Sequence, residues 1–147
     1  MKKKNPWVFV ILWMALIFLL SHQPATESIQ LSSGITRIIE DMIVRISPDT
    51  SLSQGSLNYI IRKSAHFGTY LLLGLFVANA LIASNVTKVK LILLAFLICV
   101  LYAISDEIHQ LYVPGRSGQV SDVLIDSSGG LVGVLLYAFI RREWKAN

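Results

Sequence analysis

Residues 91–105 read LILLAFLICVLYAIS, and residues 106–110 continue as DEIHQ. The first part holds no charged residue and is rich in Leu, Ile and Ala. The second is polar but still patterned as helix. An apolar run that meets a charged turn without a helix breaker marks a membrane span whose end emerges into water. The rest of the chain is organised around this segment.

Three further apolar runs flank it. The spans lie at about 6–21, 66–84, 90–106 and 121–140 of one 147-residue domain. The composition agrees, with 54% apolar and only 15% charged residues, too apolar for an ordinary soluble domain of this size. The expected fold is all-α: an integral membrane four-helix bundle with an additional amphipathic interfacial helix in the first outer loop. That helix is placed at about 33–47. Ile35, Ile38, Ile39, Met42, Ile43 and Ile46 take one face, while Arg37, Glu40, Asp41 and Arg45 take the other. Ser32 or Ser33 is its expected cap, and Pro48 follows it.

The first run follows Lys2, Lys3 and Lys4 but ends in Ser21-His22-Gln23-Pro24, with no small-x-small cleavage site. It reads as an uncleaved span rather than a signal peptide. The second helix runs from about Ser56 to Ser84. At 1.5 Å per residue this is roughly 43 Å, against a hydrocarbon core of about 30 Å. Its first turns, with Arg62, Lys63 and His66, therefore protrude. Pro114-Gly115 suits the centre of a type II turn.

The formal net charge of +4 does not indicate nucleic acid. The basic residues flank apolar runs and form no patch interleaved with aromatics. They follow the positive-inside rule instead. With the first Lys cluster cytoplasmic, eight basic residues lie inside and five outside. Both termini are then cytoplasmic in a multi-pass membrane protein. Cys99 sits alone in an apolar run and reads as a small buried residue.

Eight of nine acidic residues fall on the outer side. There three helix ends and a loop converge. The second helix brings Lys63, His66 and Tyr70. The third brings Asp106, His109 and Gln110 on one stripe, with Glu107 beside it. The fourth brings Asp122 and Asp126, and the loop adds Arg116. Each has an ordinary reading too. Asp122 suits a helix N-cap, and one interface histidine is unremarkable. Asp126 is harder to explain this way, because it sits a turn inside an apolar span, where a carboxylate costs on the order of 1–3 kcal/mol unless it faces protein or water. Asp106 and Glu107 end an outward-running helix, where the macrodipole disfavours anions. Arg116 and Lys63 are their expected partners. Gly129 and Gly133 form a small-xxx-small packing stripe.

Several ordered motifs resemble the VanZ-like family of bacterial membrane proteins. They are Lys63-Ser64-Ala65-His66-Phe67 with Tyr70, Asp106-Glu107-x-His109-Gln110, Pro114-Gly115-Arg116, Asp122-Val123 with Asp126 and Gly130, and Ser21-His22-Gln23-Pro24. The resemblance covers nearly the whole chain and implies a cell-envelope protein of Gram-positive type. The founding member is associated with low-level resistance to teicoplanin.

Two functions follow as expectations. In the first, the outer cup binds or modifies an anionic lipid-linked or glycopeptide-type ligand through Lys63, His66, Tyr70, Gln110, Arg116, Asp122 and Asp126, among membrane lipids. In the second, it is a membrane-surface hydrolase or transferase with His66, His109, Asp106 and Glu107 as acid–base candidates. Two histidines beside four carboxylates could bind Zn²⁺ or Mg²⁺, although their spacing matches no standard metal site. No Gly-x-Ser-x-Gly, His-Glu-x-x-His or phosphate-loop motif is present. The orientation predicts that an impermeant thiol reagent labels a cysteine placed at Ser117 in intact cells but not one at Asn85. The opposite labelling contradicts it.

Overall fold

The computed structural model describes residues 5–46 and 53–141. Lys2, Lys3, Lys4, Pro48, Arg142, Glu143 and Lys145 lie outside the described residues. The chain forms five helices: α1 (Trp7–Ser21), α2 (Ala25–Ile46), α3 (Gln54–Ala83), α4 (Lys88–Gln110) and α5 (Val120–Ile140). No strand occurs among the described residues. Three helices, α3, α4 and α5, are long and apolar enough to cross a membrane. The bent pair α1 and α2 passes the same test only when taken together.

α3 and α5 form the centre. Their contacts ascend together along both chains, from Lys63 with Asp122 to Asn79 with Tyr137, so the two helices are parallel. They approach backbone to backbone. A Cβ on Gly129 would collide with the Phe67 carbonyl, and one on Gly133 with the Leu71 carbonyl. One on Gly74 would strike the Gly130 carbonyl. Helices this close gain van der Waals contact that lipid cannot supply. α4 runs antiparallel to both and presses Cys99, fully buried, against Gly130. Leu73, Val77, Leu91, Ala95, Ala103 and Val134 fill the core around this contact.

α1 runs antiparallel to α3. Trp7 Nε1 donates to Ser84 Oγ (3.1 Å) at one end, and Trp13 Nε1 donates to the Thr69 carbonyl (2.9 Å) nearer the other. Tyr102 on α4 donates to the Met14 carbonyl (2.6 Å). The outer surfaces carry Leu93, Leu97, Leu101, Leu124 and Phe139, all exposed. An apolar exterior around a tightly packed interior suits a lipid environment.

Local chemistry explains the ends. Ser53 caps α3 by accepting from the Ser56 amide (3.2 Å). Beyond α3, Asn85 takes the left-handed conformation (φ 58°), which Asn tolerates better than most residues. Val86 N–H then donates to the Leu81 carbonyl (3.2 Å), turning the chain into α4. Residues 113–116 form the expected turn. Gly115 has φ 74°, as the third position of a type II turn requires, and Arg116 N–H donates to the Val113 carbonyl (3.1 Å).

α2 differs from expectation. It begins at Ala25, directly after Pro24, whose carbonyl accepts from Ser28 N–H (3.1 Å). Glu27 sits in its first turn, where the dipole favours an anion. Ser32 and Ser33 therefore lie inside the helix and do not cap it. Ser32 and Thr36 are buried and bond back to Ile29 and Ser32 carbonyls (3.1 and 2.8 Å). Ile29, Ile35, Ile38 and Met42 are exposed instead. α2 bends 99° away from α1.

The α3–α5 contact generates a test. Gly129→Ala and Gly133→Ala should each destabilise the protein in detergent by about 1–3 kcal/mol through overpacking. Gly68→Ala meets open space on the same α3 helix and should be neutral or stabilising by up to about 1 kcal/mol. Equal melting temperatures for all three would refute this register.

Candidate functional site

The close, parallel packing of α3 and α5 sets side chains opposite one another in rungs. Lys63 pairs with Asp122, and both side chains are largely buried. Lys63 also lies over the Tyr59 ring, 5.2 Å from its centroid. One turn deeper, His66 Nδ1 stands 3.3 Å from one oxygen of Asp126 and 3.4 Å from the other. Asp126 is 0% exposed, so the imidazole is its route to a hydrogen bond. One turn further along α3, the Tyr70 hydroxyl is buried with no partner among the described residues.

α4 completes the floor with Asp106, Glu107 and Gln110, all buried. Their partners differ from those expected. Glu107 Oε2 accepts from the Gln119 backbone N–H (2.7 Å), and Gln119 is the N-cap residue of α5. Glu107 thus closes the start of a neighbouring helix, where exposed N–H groups welcome an anion. Asp122 lies in the first turn of α5 rather than at its cap. Asp106 Oδ2 accepts from Gln110 Nε2 (3.4 Å), which also donates to Ser21 Oγ (2.8 Å). Neither Lys63 nor Arg116 forms an ion pair with Asp106 or Glu107 among the described residues.

Arg116 is committed elsewhere. Its Nε donates to the Gln23 carbonyl (3.0 Å), Nη2 to the Leu20 carbonyl (3.4 Å) and Nη1 to Gln110 Oε1 (3.4 Å). It thereby serves carbonyls left free at the C-terminal end of α1. Burial, followed by the nearby charge of Arg62, lowers its pKa from the ordinary arginine value. The guanidinium stays charged, since an arginine is not deprotonated in a protein.

His109 does not join His66. It faces α1, where its Nε2 lies 3.1 Å from Nδ1 of His22, and the Phe18 ring covers it at 4.5 Å between centroids. His22 was not among the expected site residues. Its position at the end of α1, on the same side as His109, was the only available signal. Ser21 and Arg62 were missed too, each being a polar residue near the end of an apolar helix where the other polar residues gather. Among the described residues no three His, Cys, Asp or Glu side chains are grouped to hold a metal ion.

Between α1, α2 and α3 lies a cavity of about 300 Å³. Ile17, Leu20, Ile35 and Ile61 make an apolar wall. Ser21, His66, Tyr70 and Asp106 make a polar one, and Arg62 and Arg116 line it as well. α4 and the α4–α5 loop thus bring polar groups to a chamber whose other walls suit a hydrocarbon chain. The arrangement can hold an amphiphile, with a histidine oriented by a buried carboxylate at its polar end.

No curated protein and no solved structure matches the chain. A family model described as VanZ/LLP1 matches residues 6–141. That span takes in every helix and every residue of the cup described above, and the chain belongs to the VanZ/LLP1 family.

Proposed function

We propose that this is a bacterial cell-envelope protein whose outward-facing cup binds or modifies an anionic lipid-linked or glycopeptide-type ligand. In this reading α1, α3, α4 and α5 cross the membrane as a four-helix bundle, with both termini in the cytoplasm. α2 lies along the outer surface as the interfacial helix. The alternating directions of the four helices support it, as do the 99° bend before α2 and the exposed Ile35, Ile38 and Met42. Membership of the VanZ/LLP1 family supports a contribution to glycopeptide tolerance.

One observation carries the anionic ligand. Arg62 and Arg116 line the same cavity, and neither forms an ion pair among the described residues. The two neighbouring guanidiniums repel each other, and Asp106, which lines the same cavity, forms an ion pair with neither among the described residues; a shared anion relieves that repulsion through charge-assisted hydrogen bonds. Lys63, expected to share this work, is occupied by Asp122.

The second reading, a hydrolase or transferase, draws support from His66. A carboxylate holding Nδ1 fixes the imidazole so that its other nitrogen serves as acid or base. His109, paired with His22, has no such carboxylate within ion-pair reach among the described residues.

Two measurements test these readings. Dodecyl phosphate should raise the melting temperature of the protein in neutral detergent. Arg62→Gln should weaken that effect about 10- to 100-fold, the value of one charge-assisted hydrogen bond. No response in the wild type removes the anion site. For catalysis, glycopeptide tolerance of cells carrying His66→Gln is compared with that of cells carrying His109→Gln and of a deletion. Losing a general base costs about 10²–10⁴-fold in rate. If His66→Gln matches the deletion at normal protein level while His109→Gln stays active, the catalytic reading is favoured. Full tolerance in His66→Gln excludes it.

A further inference from the structure

The anion site accounts for the arginines in the cavity but not for its most buried polar atoms. Asp106 is 4% exposed and Tyr70 only 1%. Both line the cavity. Asp106 Oδ1 and the Tyr70 hydroxyl have no hydrogen-bond partner among the described residues. Leaving such groups unpaired in a buried place costs about 1–3 kcal/mol each. Two buried, unpartnered polar atoms on residues that line one chamber point to a position that something else fills.

The chamber therefore has a polarity gradient. Arg62 is exposed and Arg116 half-buried, so the cationic groups stand on its outer side. Asp106 and Tyr70 stand on its inner side. Ile17, Leu20, Ile35 and Ile61 line the remainder. A simple alkyl anion would satisfy the arginines and leave the inner groups orphaned. Asp106 accepts and a tyrosine hydroxyl both accepts and donates. The group that satisfies both is a hydrogen-bond donor held a short distance from the anion.

Resting on the anionic-ligand reading above, we infer that the cavity takes an amphiphile whose phosphate-type anion meets Arg62 and Arg116 while a donor-bearing extension of the same head group, ammonium or hydroxyl, reaches Asp106 and Tyr70. The hydrocarbon chain runs along the isoleucine and leucine wall. Head groups that end in a quaternary ammonium carry the same charges but no N–H or O–H, and they leave Asp106 Oδ1 unsatisfied. Selectivity lies in donor capacity rather than in net charge.

Four dodecyl amphiphiles separate these effects: the bare phosphate, the phosphocholine, the phosphoethanolamine and the phosphoglycerol. Each is titrated below its micellar concentration into purified full-length protein in neutral detergent. The readout is the concentration giving half the maximal rise in melting temperature. Phosphoethanolamine and phosphocholine form the charge-matched pair, and the ethanolamine compound should bind about tenfold more tightly. A matching gain for phosphoglycerol assigns the preference to any donor, whereas a gain for phosphoethanolamine alone assigns it to the ammonium. Tyr70→Phe and Asp106→Asn should each narrow the difference between phosphoethanolamine and phosphocholine, measured against dodecyl phosphate in the same variant. If Asp106→Asn does not fold, Tyr70→Phe and the wild-type series still decide. Equal binding of phosphoethanolamine and phosphocholine overturns the inference and leaves the anion site standing. Failure of all four to bind overturns both.

Discussion

Two helices that touch through their backbones can be set in only a few ways. Phe67 and Leu71 present carbonyls to Gly129 and Gly133, and Gly74 returns the contact at Gly130. No side chain intervenes to absorb a shift, so a slide of α3 against α5 would drive a Cβ or a carbonyl into a neighbour. This contact fixes which polar residues meet. Lys63 is set opposite Asp122, and His66 opposite Asp126. The packing between the helices is therefore what builds the polar cup at one end of them. Tyr137 and Asn79 join the same pair of helices toward the other end (2.5 Å).

The cup itself follows from the cost of burying charge. A buried carboxylate needs donors, and here most of them are not free cations. Glu107 takes a backbone N–H at the start of α5, Asp106 takes the amide of Gln110, and Asp126 takes an imidazole. Lys63 pairs with Asp122 and lies over the Tyr59 ring. Arg116 spends its donors on carbonyls that end α1 and on Gln110. The resulting chamber is lined by two guanidiniums that form no ion pair among the described residues, and by Asp106 and Tyr70, whose Oδ1 and hydroxyl are buried without a partner there.

The sequence made the helical architecture readable, and with it the gathering of polar residues from α3, α4 and α5 at one end of the helices, because hydropathy reports where apolar runs stop. The glycine stripe of α5 was readable too. Pairings were not. The spacing of Lys63, His66 and Tyr70 shows that they share a face, but the rotation of α3 about its axis decides whether that face meets α4 or α5. Asp106 and Glu107 looked in need of cations because only their own helix dipole was visible; the start of α5, which rewards Glu107, depends on packing. The beginning of α2 was misplaced for a related reason. Ser32 and Ser33 resemble caps, yet Pro24 already starts the helix and leaves Ser32 as a buried interior residue. His109 could not be assigned to His22 without knowing that the ends of α1 and α4 lie side by side.

On the reading proposed above, the chamber between α1, α2 and α3 binds an anionic amphiphile. Mass spectrometry of the lipids that remain bound after purification from the native membrane addresses it without choosing a ligand in advance. Wild-type protein should retain an anionic, donor-bearing lipid in excess of its share of the membrane and close to one per chain, and Arg62→Gln protein should lose that excess. Retained lipids that mirror the bulk membrane in both proteins would contradict the claim.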